Sequence, residues 1–488
     1  MLAKVLKILW PIKAEEVGKF CSMAVLMFSI LLNQNIVRTI KDSLAVNLMG
    51  AESLSFIKIA VEVPCSIVFI FLYTKLCNRM GPQQVFRCIV GFFLTYFLIF
   101  LFFLFPNLDV LHPNHELVSH LISRHPHWRW FITLWSQWVI VSFYVVGELW
   151  PIIVFSLLFW QLANGITSTE QAGRFYPSLS LFGQSNLIFS SSIIGYFTKA
   201  NNIADLIFEG SNFEVRLKSL LLIVIFSGLF CLLIHWYMEM KGHSVVAIKN
   251  FGLPLRLGMR ASIKMVISSR YLMMIFSIVV SYSFAINLIE GIWMFKANQF
   301  YQDTSLLMRY HAKISFCTGV LTLFCAIFGG YVIRRFGWLR AALLTPLMIL
   351  FAGFAFFVCI LMHEGVSGFA LKFGFSGLGL LVFIGGIQNV LSKGVKYSIF
   401  DTTKEMLYIP LNPEFKTKGK AAVEVIGPKI GKAFGSGLQA AIFFLFPRVT
   451  YDDIAFILVG FFIFVLLFWL YSVRAIHESY STVVSNES

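Results

Sequence analysis

Charged residues are scarce in this chain of 488 residues: only 13% are Asp, Glu, Lys or Arg, while 58% are hydrophobic. Soluble globular proteins carry about 25% charged residues. A chain with so little polar surface cannot cover a soluble body, so the composition predicts a protein that lies in lipid. The net charge of +15 does not indicate a nucleic-acid partner, because the lysines and arginines fall in short loops between apolar runs.

Several motifs are also missing. None of the eight cysteines belongs to a CxxC pair, and most lie in apolar runs, so no disulfide framework is expected. No GxxxxGK[ST] phosphate loop occurs, which argues against an ATP-driven pump, and no catalytic constellation or cofactor motif indicates an enzyme. The basic start of the chain lacks a small-x-small cleavage site, so we interpret it as a cytoplasmic lead-in to a first span.

Long apolar runs dominate the rest of the sequence. A membrane-spanning helix needs about 20 mostly apolar residues. Twelve runs meet this criterion: 20–37, 54–74, 87–106, 131–162, 177–197, 218–237, 271–289, 314–333, 339–361, 371–391, 428–447 and 454–474. Pro151 lies within the long fourth run, which predicts a kinked or tilted helix, with two shorter segments as the alternative. Lys and Arg are about twice as frequent in the loops on the same side of the membrane as the N-terminus as in the loops on the opposite side. This bias predicts that both termini are cytoplasmic.

A weak internal repeat divides the chain. Asn78-Arg79-Met80-Gly81 after the second run matches Arg334-Arg335-Phe336-Gly337 after the eighth, at nearly the offset that relates Lys41 to Lys296. We therefore predict a six-helix half over 1–238, a basic cytoplasmic linker over 239–270, a second six-helix half over 271–474 and a polar tail over 475–488. The predicted fold is thus an all-α membrane protein with about twelve helices in two six-helix halves, of the major-facilitator type.

Glu148 is the first candidate for a functional charge. No other charged residue lies between Arg129 and Glu170, so Glu148 falls inside a hydrophobic run. A carboxylate near the bilayer centre costs roughly 2.5–3.5 kcal/mol on insertion scales and persists where it faces a water-filled cavity or a cation. The alternative is a carboxylate at the membrane interface, beside Trp150 in an aromatic belt.

Lys432 is the second candidate. It opens the eleventh run, within Gly427-Pro428-Lys429-Ile430-Gly431-Lys432. Small residues at this spacing permit close helix packing or close approach of a ligand, and a lysine offers a point charge to a phosphate. An ordinary lysine that reaches the interface explains the pattern equally well.

Further polar residues end the first and seventh runs. Asn33, Arg38 and Lys41 recur near helical spacing, which predicts a hydrophilic face that either lines a pathway or leaves the membrane. Glu290 and Lys296 follow the seventh run, where an interfacial belt is again the alternative.

Two remaining groups stay open. Lys58 and Glu62 lie four residues apart in the second run, which predicts either an ion pair on one helix face or the lining of a pathway. The loop 107–130 holds five of the ten histidines. It lacks a strong metal-ligand spacing, so we interpret it as a solvated external loop and predict no metal site.

Longer strings resemble one known family along nearly the whole chain. They include Arg38-Thr39-Ile40-Lys41-Asp42-Ser43-Leu44, Glu148-Leu149-Trp150, Asn287-Leu288-Ile289-Glu290-Gly291-Ile292-Trp293 and Lys418-Gly419-Lys420-Ala421-Ala422-Val423-Glu424-Val425-Ile426-Gly427. In these strings the chain is similar to the nucleotide transport proteins, also called ATP/ADP translocases, of obligate intracellular bacteria and plastids. The resemblance implies a nucleotide exchanger of the bacterial inner membrane, which we expect to be a monomer. The family's four functionally important charges fall on Lys41, Glu148, Glu290 and Lys432.

The chain departs from the family pattern beside those charges. Pro151 stands where the family usually has a small residue, Met294 replaces a lysine, and Ala433-Phe434-Gly435 replaces Ser-Gly-Gly. The base preference is therefore left open between ATP/ADP exchange and exchange of other ribonucleotides. Proton-coupled nucleotide symport and transport of another phosphorylated anion are the alternatives.

Overall fold

The computed structural model describes residues 12–199, 212–242, 264–362, 376–411 and 419–487, with a few single positions between these ranges. Most of the predicted linker 239–270 lies outside the described residues. Helices form nearly all of the described chain, and none of it is in a strand.

Within the described residues, twelve long helices occupy the positions of the twelve predicted runs. The first six are α1 Val17–Met49, α2 Ser53–Cys77, α3 Pro82–Ile99, α4 Trp138–Ile166, α5 Thr169–Phe197 and α6 Asn212–Met240. The second six are α7 Arg270–Phe300, α8 and α9 within Thr304–Leu361, α10 Gly377–Met406, α11 Lys420–Leu445 and α12 Tyr451–Glu487. Gly337, with a φ of 78°, separates α8 from α9. Within the described ranges, nine of these segments are long and apolar enough to span a membrane by composition alone.

The fourth predicted run does not break at its proline. A short helix, Arg129–Ser136, precedes α4, and the separation falls at Gln137. Pro151 instead begins a π-helical segment, Pro151–Phe159, within α4. Proline cannot donate the helical hydrogen bond and crowds the preceding turn, and a wider π turn accommodates both effects without ending the helix.

Glycines let α11 approach α7 closely. A Cβ added at Gly431 meets the carbonyl oxygen of Val280 at 2.5 Å and the Cβ of Ser283 at 2.6 Å. Small residues permit such contact between helices in membranes, where close packing stabilises association. The contact at Gly431 fixes α11 beside α7 and therefore fixes the position of the next residue, Lys432.

The two halves meet through hydrogen bonds at the helix ends farthest from the N-terminus. The Asn47 side chain at the end of α1 donates to the carbonyl oxygen of Gln302 at 2.6 Å and accepts from the Thr304 hydroxyl at 2.8 Å. The His127 Nδ1 atom lies 2.8 Å from the carbonyl oxygen of Phe444 in the last turn of α11. These contacts join the halves at one face of the molecule.

We predict that Gly431→Ala lowers the thermal stability of the purified protein, because the added methyl group meets backbone that cannot move aside. Overpacking of this kind typically costs about 1–3 kcal/mol. Gly460→Ala on α12 is the matched control, because a Cβ there meets nothing within 4 Å. The measurement is thermal unfolding of both variants in the same detergent. Equal melting temperatures for the two would contradict the packing described here.

Candidate functional site

A cavity of about 430 Å³ lies between the two halves, bounded by α1, α2 and α4 on one side and by α7, α10 and α11 on the other. Its lining includes seven cationic side chains, namely Arg38, Lys41, Lys58, Lys393, Lys396, Lys404 and Lys432. Five acidic side chains also line it, namely Asp42, Glu148, Glu290, Asp401 and Glu424. An excess of cations in a cavity with low-dielectric walls attracts anions.

Lys41 is the most enclosed of these charges. Its side chain is 2% exposed, and its Nζ atom lies 2.6 Å from Asp42 Oδ1 and 2.7 Å from Glu148 Oε1. The ammonium group also lies 3.9 Å from the ring centre of Tyr144. Two carboxylates and an aromatic face therefore compensate one buried cation.

Lys432 meets the same carboxylate from the other half. Its Nζ atom lies 3.7 Å from Glu148 Oε2, and its side chain is 45% exposed. Glu148 thus bridges a buried lysine of α1 and a more accessible lysine of α11. Of the two cations, Lys432 is the one that a ligand in the cavity can reach with less rearrangement.

Glu290 on α7 is a second acceptor of several cations. Its carboxylate lies 3.6 Å from the Arg38 guanidinium, 3.9 Å from Lys58 Nζ and 3.5 Å from Lys393 Nζ. Arg38 and Lys58 belong to the first half, so these two pairs cross the interface between the halves. At such distances the ion pairs are loose enough for an anion to compete for the cations.

The structure brings five of the predicted residues together at the cavity: Arg38, Lys41, Glu148, Glu290 and Lys432. Trp150 and Trp293 are buried, so the alternative of interfacial belts beside Glu148 and Glu290 is wrong. The Trp150 indole donates to the carbonyl oxygen of Ile30 at 3.0 Å, and the Trp293 indole donates to the Tyr310 hydroxyl at 2.9 Å.

Two predicted residues lie away from the cavity, which corrects their assignment to its lining. Lys296 pairs with Asp452 of α12 at 2.7 Å. It follows Glu290 by six residues, and this spacing turns it to another face of α7. Asn33 is fully buried beside Gly228 of α6, and its neighbour Gln34 lines the cavity instead.

For Lys58 and Glu62 on α2, the structure favours the lining of a pathway over an ion pair between these two residues. Lys58 lines the cavity and turns to Glu290, whereas Glu62 is buried behind the lining. Of the residues that depart from the family pattern, Pro151 and Met294 line the cavity. Phe434 is 62% exposed and lies outside it.

Sequence reasoning missed the charges contributed by the end of α10. The predicted span ends at residue 391, which places Lys393, Lys396, Asp401 and Lys404 in the loop that follows it. Instead α10 continues through a π-helical segment, Lys396–Phe400, and carries these residues along the cavity. A polar stripe at helical spacing over residues 393–404 is the signal that could have found them.

The histidine-rich loop contributes to the outer contacts and not to the cavity. It forms a short helix, His115–Arg124, followed by the turn that carries His127. Across the described part of the chain, no three His, Cys, Asp or Glu side chains are grouped so that they could hold a metal ion.

Comparison with known proteins identifies the relatives of the chain. The family model described as TLC ATP/ADP transporter matches residues 1–480. ADP,ATP carrier protein 3 of Rickettsia prowazekii is 37% identical over 490 residues, covering 98% of this chain and 97% of that protein. ADP,ATP carrier protein 1 of Rickettsia bellii is 36% identical and covers 99% and 98%.

Solved structures show the fold. A bacterial homologue of the iron transporter ferroportin, in an inward-facing state, matches with a TM-score of 0.63 at 12% identity, covering 95% of this chain and 99% of that one. The nucleoside transporter NupG matches with a TM-score of 0.57 at 10% identity and covers 93% and 98%. The predicted fold, an all-α membrane protein with two six-helix halves of the major-facilitator type, is confirmed.

We predict that Lys41→Met destabilises the ligand-free protein far more than Lys432→Met. Removing Lys41 leaves the Asp42 and Glu148 carboxylates poorly compensated in a buried setting, a change that costs about 3–5 kcal/mol. Removing Lys432 leaves Glu148 paired with Lys41, and exposed pairs contribute at most about 1 kcal/mol. Thermal unfolding in detergent compares the two variants. A larger loss for Lys432→Met would contradict this ranking.

Proposed function

The chain belongs to the TLC ATP/ADP transporter family, and we propose that its central cavity exchanges nucleotides across a bacterial inner membrane. The exchange is of the ATP/ADP antiport type, with the base left open. Support for this comes from the cavity, in which each of the cations Lys432, Lys58 and Arg38 forms an ion pair with a carboxylate of the other half. A chain of phosphates is the ligand whose charge and length suit such a set of cations.

In the empty cavity, Glu148 and Glu290 take the place that phosphate oxygens take when a nucleotide is bound. A buried cation without a partner is strongly destabilising, so the carboxylates keep the empty site tolerable in a low-dielectric setting. A di- or triphosphate brings more negative charge than either carboxylate and shorter, charge-assisted hydrogen bonds. Lys432 is the first contact, because its side chain is 45% exposed and its pair with Glu148 is long.

The same ion pairs account for exchange instead of one-way flow. The pairs of Arg38 and Lys58 with Glu290 and the pair of Lys432 with Glu148 each join one half to the other. The halves of this fold must rock against each other for alternating access. When no ligand replaces these contacts, rocking breaks them without compensation. The empty carrier is therefore held in place, and the loaded carrier moves.

The cavity extends toward the C-terminal end of α10 and the N-terminal end of α11, where Lys404 and Glu424 line it. The Lys404 Nζ atom lies 2.7 Å from Glu424 Oε2. Asn47, Gln302 and Thr304 join the halves at the opposite face. This arrangement supports the proposal of an inward-facing state with both termini in the cytoplasm.

Aromatic side chains favour a nucleotide over a smaller phosphorylated anion. Tyr282 and Phe400 line the cavity and stack on each other, with ring centres 5.3 Å apart and ring planes at 23°. A nucleobase stacks on such a surface with little regard to its identity. We propose that the protein acts as a monomeric carrier in the lipid bilayer. In this proposal it is neither an enzyme nor a nucleic-acid-binding protein.

We predict that cells expressing the chain take up labelled nucleotide, and that unlabelled internal nucleotide accelerates this uptake. Glu148→Gln and Lys432→Ala lower uptake roughly tenfold or more, because a hydrogen bond to a charged group contributes about 1.5–3 kcal/mol. Both variants reach the membrane in normal amount. Glu116→Gln and Lys313→Ala remove exposed charges outside the cavity and serve as matched controls.

A competition panel of all ribonucleotides in the same assay assigns the base. Uptake that no common nucleotide supports would overturn the proposal. Uptake blocked by other phosphorylated metabolites, with nucleotides inert, would replace it with a carrier for such an anion. Uptake that external protons drive and internal nucleotide does not accelerate would replace antiport with symport.

A further inference from the structure

Glu62 on α2 differs from the acidic residues of the cavity. Each of the five acids that line the cavity has a cation within 4.0 Å. Glu62 is 9% exposed, forms no ion pair within the described ranges, and has a buried Oε2 atom without a hydrogen-bond partner there. It lies at the end of a π-helical segment, Ile57–Glu62, and such segments occur frequently at functional sites.

Charged and titratable groups face Glu62 from its own helix and from three neighbouring helices. They are Lys58 of α2, Lys41 of α1, Tyr144 and Glu148 of α4, and Lys429 and Lys432 of α11. Lys58 is turned to Glu290, while Lys41 and Lys432 are turned to Glu148. Lys58, Lys41 and Lys432 are thus committed to other carboxylates and stabilise an ionised Glu62 only across a distance. Lys429 has no ion pair within the described ranges and is the remaining cation near Glu62.

A buried carboxylate is neutral or ionised according to the balance of these charges. Burial and the negative charge of Glu148 both disfavour the ionised form, whereas the positive charges of Lys432 and Lys58 favour it. When substrate phosphates neutralise those two lysines, the support for an ionised Glu62 falls to that of Lys41 and Lys429, and the burial penalty remains. Proton binding at Glu62 then follows from binding of the anion.

We propose that Glu62 is a proton-binding site coupled to the nucleotide cavity, which takes up one proton from water as the phosphates engage Lys432 and Lys58. This inference rests on the proposed nucleotide transport. The proton adds to a carboxylate oxygen of Glu62, no other bond is broken, and the proton leaves when the nucleotide leaves. Glu62 does not line the cavity, so it acts through the two lysines and not by contact with substrate.

The coupling has a definite sign. A proton taken up on binding makes nucleotide affinity rise as the pH falls, by at most about tenfold per pH unit for a single site. It also places one proton in the loaded carrier, which offsets one of the negative charges that the nucleotide carries through the membrane. A buried acid that only packs against its neighbours would alter stability without altering this proton count.

The test is calorimetry of ATP binding to the purified full-length protein in two buffers of equal pH and different ionisation enthalpy. The pH is set above the range in which the free nucleotide itself binds protons. Wild type and the Glu116→Gln control are expected to take up close to one proton per ATP at a pH where Glu62 is ionised in the empty protein. Glu62→Gln is expected to bind ATP with no proton uptake and a flat pH profile, and Glu62→Asp to restore uptake with a shifted profile.

Wild type that binds ATP without proton uptake from the pH at which the nucleotide is fully ionised up to about pH 9, where a buried carboxyl group still titrates, overturns the inference even if Glu62→Gln fails to fold. Glu62→Gln with the proton count of wild type overturns it as well. Wild type that binds no nucleotide in the same experiment contradicts the proposed function, and that result is distinct from binding without protons.

Discussion

Among the described residues, three ion pairs cross the middle of the molecule between its two halves: Arg38 and Lys58 with Glu290, and Lys432 with Glu148. These pairs stabilise charges that are unfavourable in a membrane. They can form only while the two halves are in contact at the cavity. Intramembrane charge is costly unless it is paired or faces a polar cavity. The rest of the site depends on this constraint, because each cation offered to a ligand must have a carboxylate to return to when the ligand leaves.

The fold supplies that arrangement with few special features. Glycine contacts between α7 and α11 set the position of Lys432, and a π-helical turn carries α4 past Pro151 without a break. A second π-helical turn extends α10, so that Lys393 and Lys396 lie at the cavity. The glycine contacts and the turn in α10 place charges at the interface between the halves, and the turn in α4 leaves Pro151 at the cavity.

The sequence was sufficient for the architecture because lipid imposes a simple pattern. Apolar runs of the required length and the bias of Lys and Arg between loops predict twelve helices, and the described part of the chain has twelve long helices at these positions. Among single residues, Glu148 and Lys432 could be found because a charge inside an apolar run has few explanations. Lys296 and Asn33 could not be placed, because their helix faces depend on how α7 and α1 rotate against their neighbours. The end of a helix could not be predicted either, because α10 continues beyond its apolar run. For this reason the charges over 393–404 were missed.

Paired cations of the cavity recognise the phosphate chain, and carboxylates pair with these cations when no phosphate is bound. Thermal stabilisation of the purified protein by a nucleoside and its mono-, di- and triphosphate tests this most directly. We expect weak stabilisation by the nucleoside, increasing stabilisation with each added phosphate, and loss of that increase in Lys432→Ala. Equal stabilisation by the nucleoside and the triphosphate would contradict it.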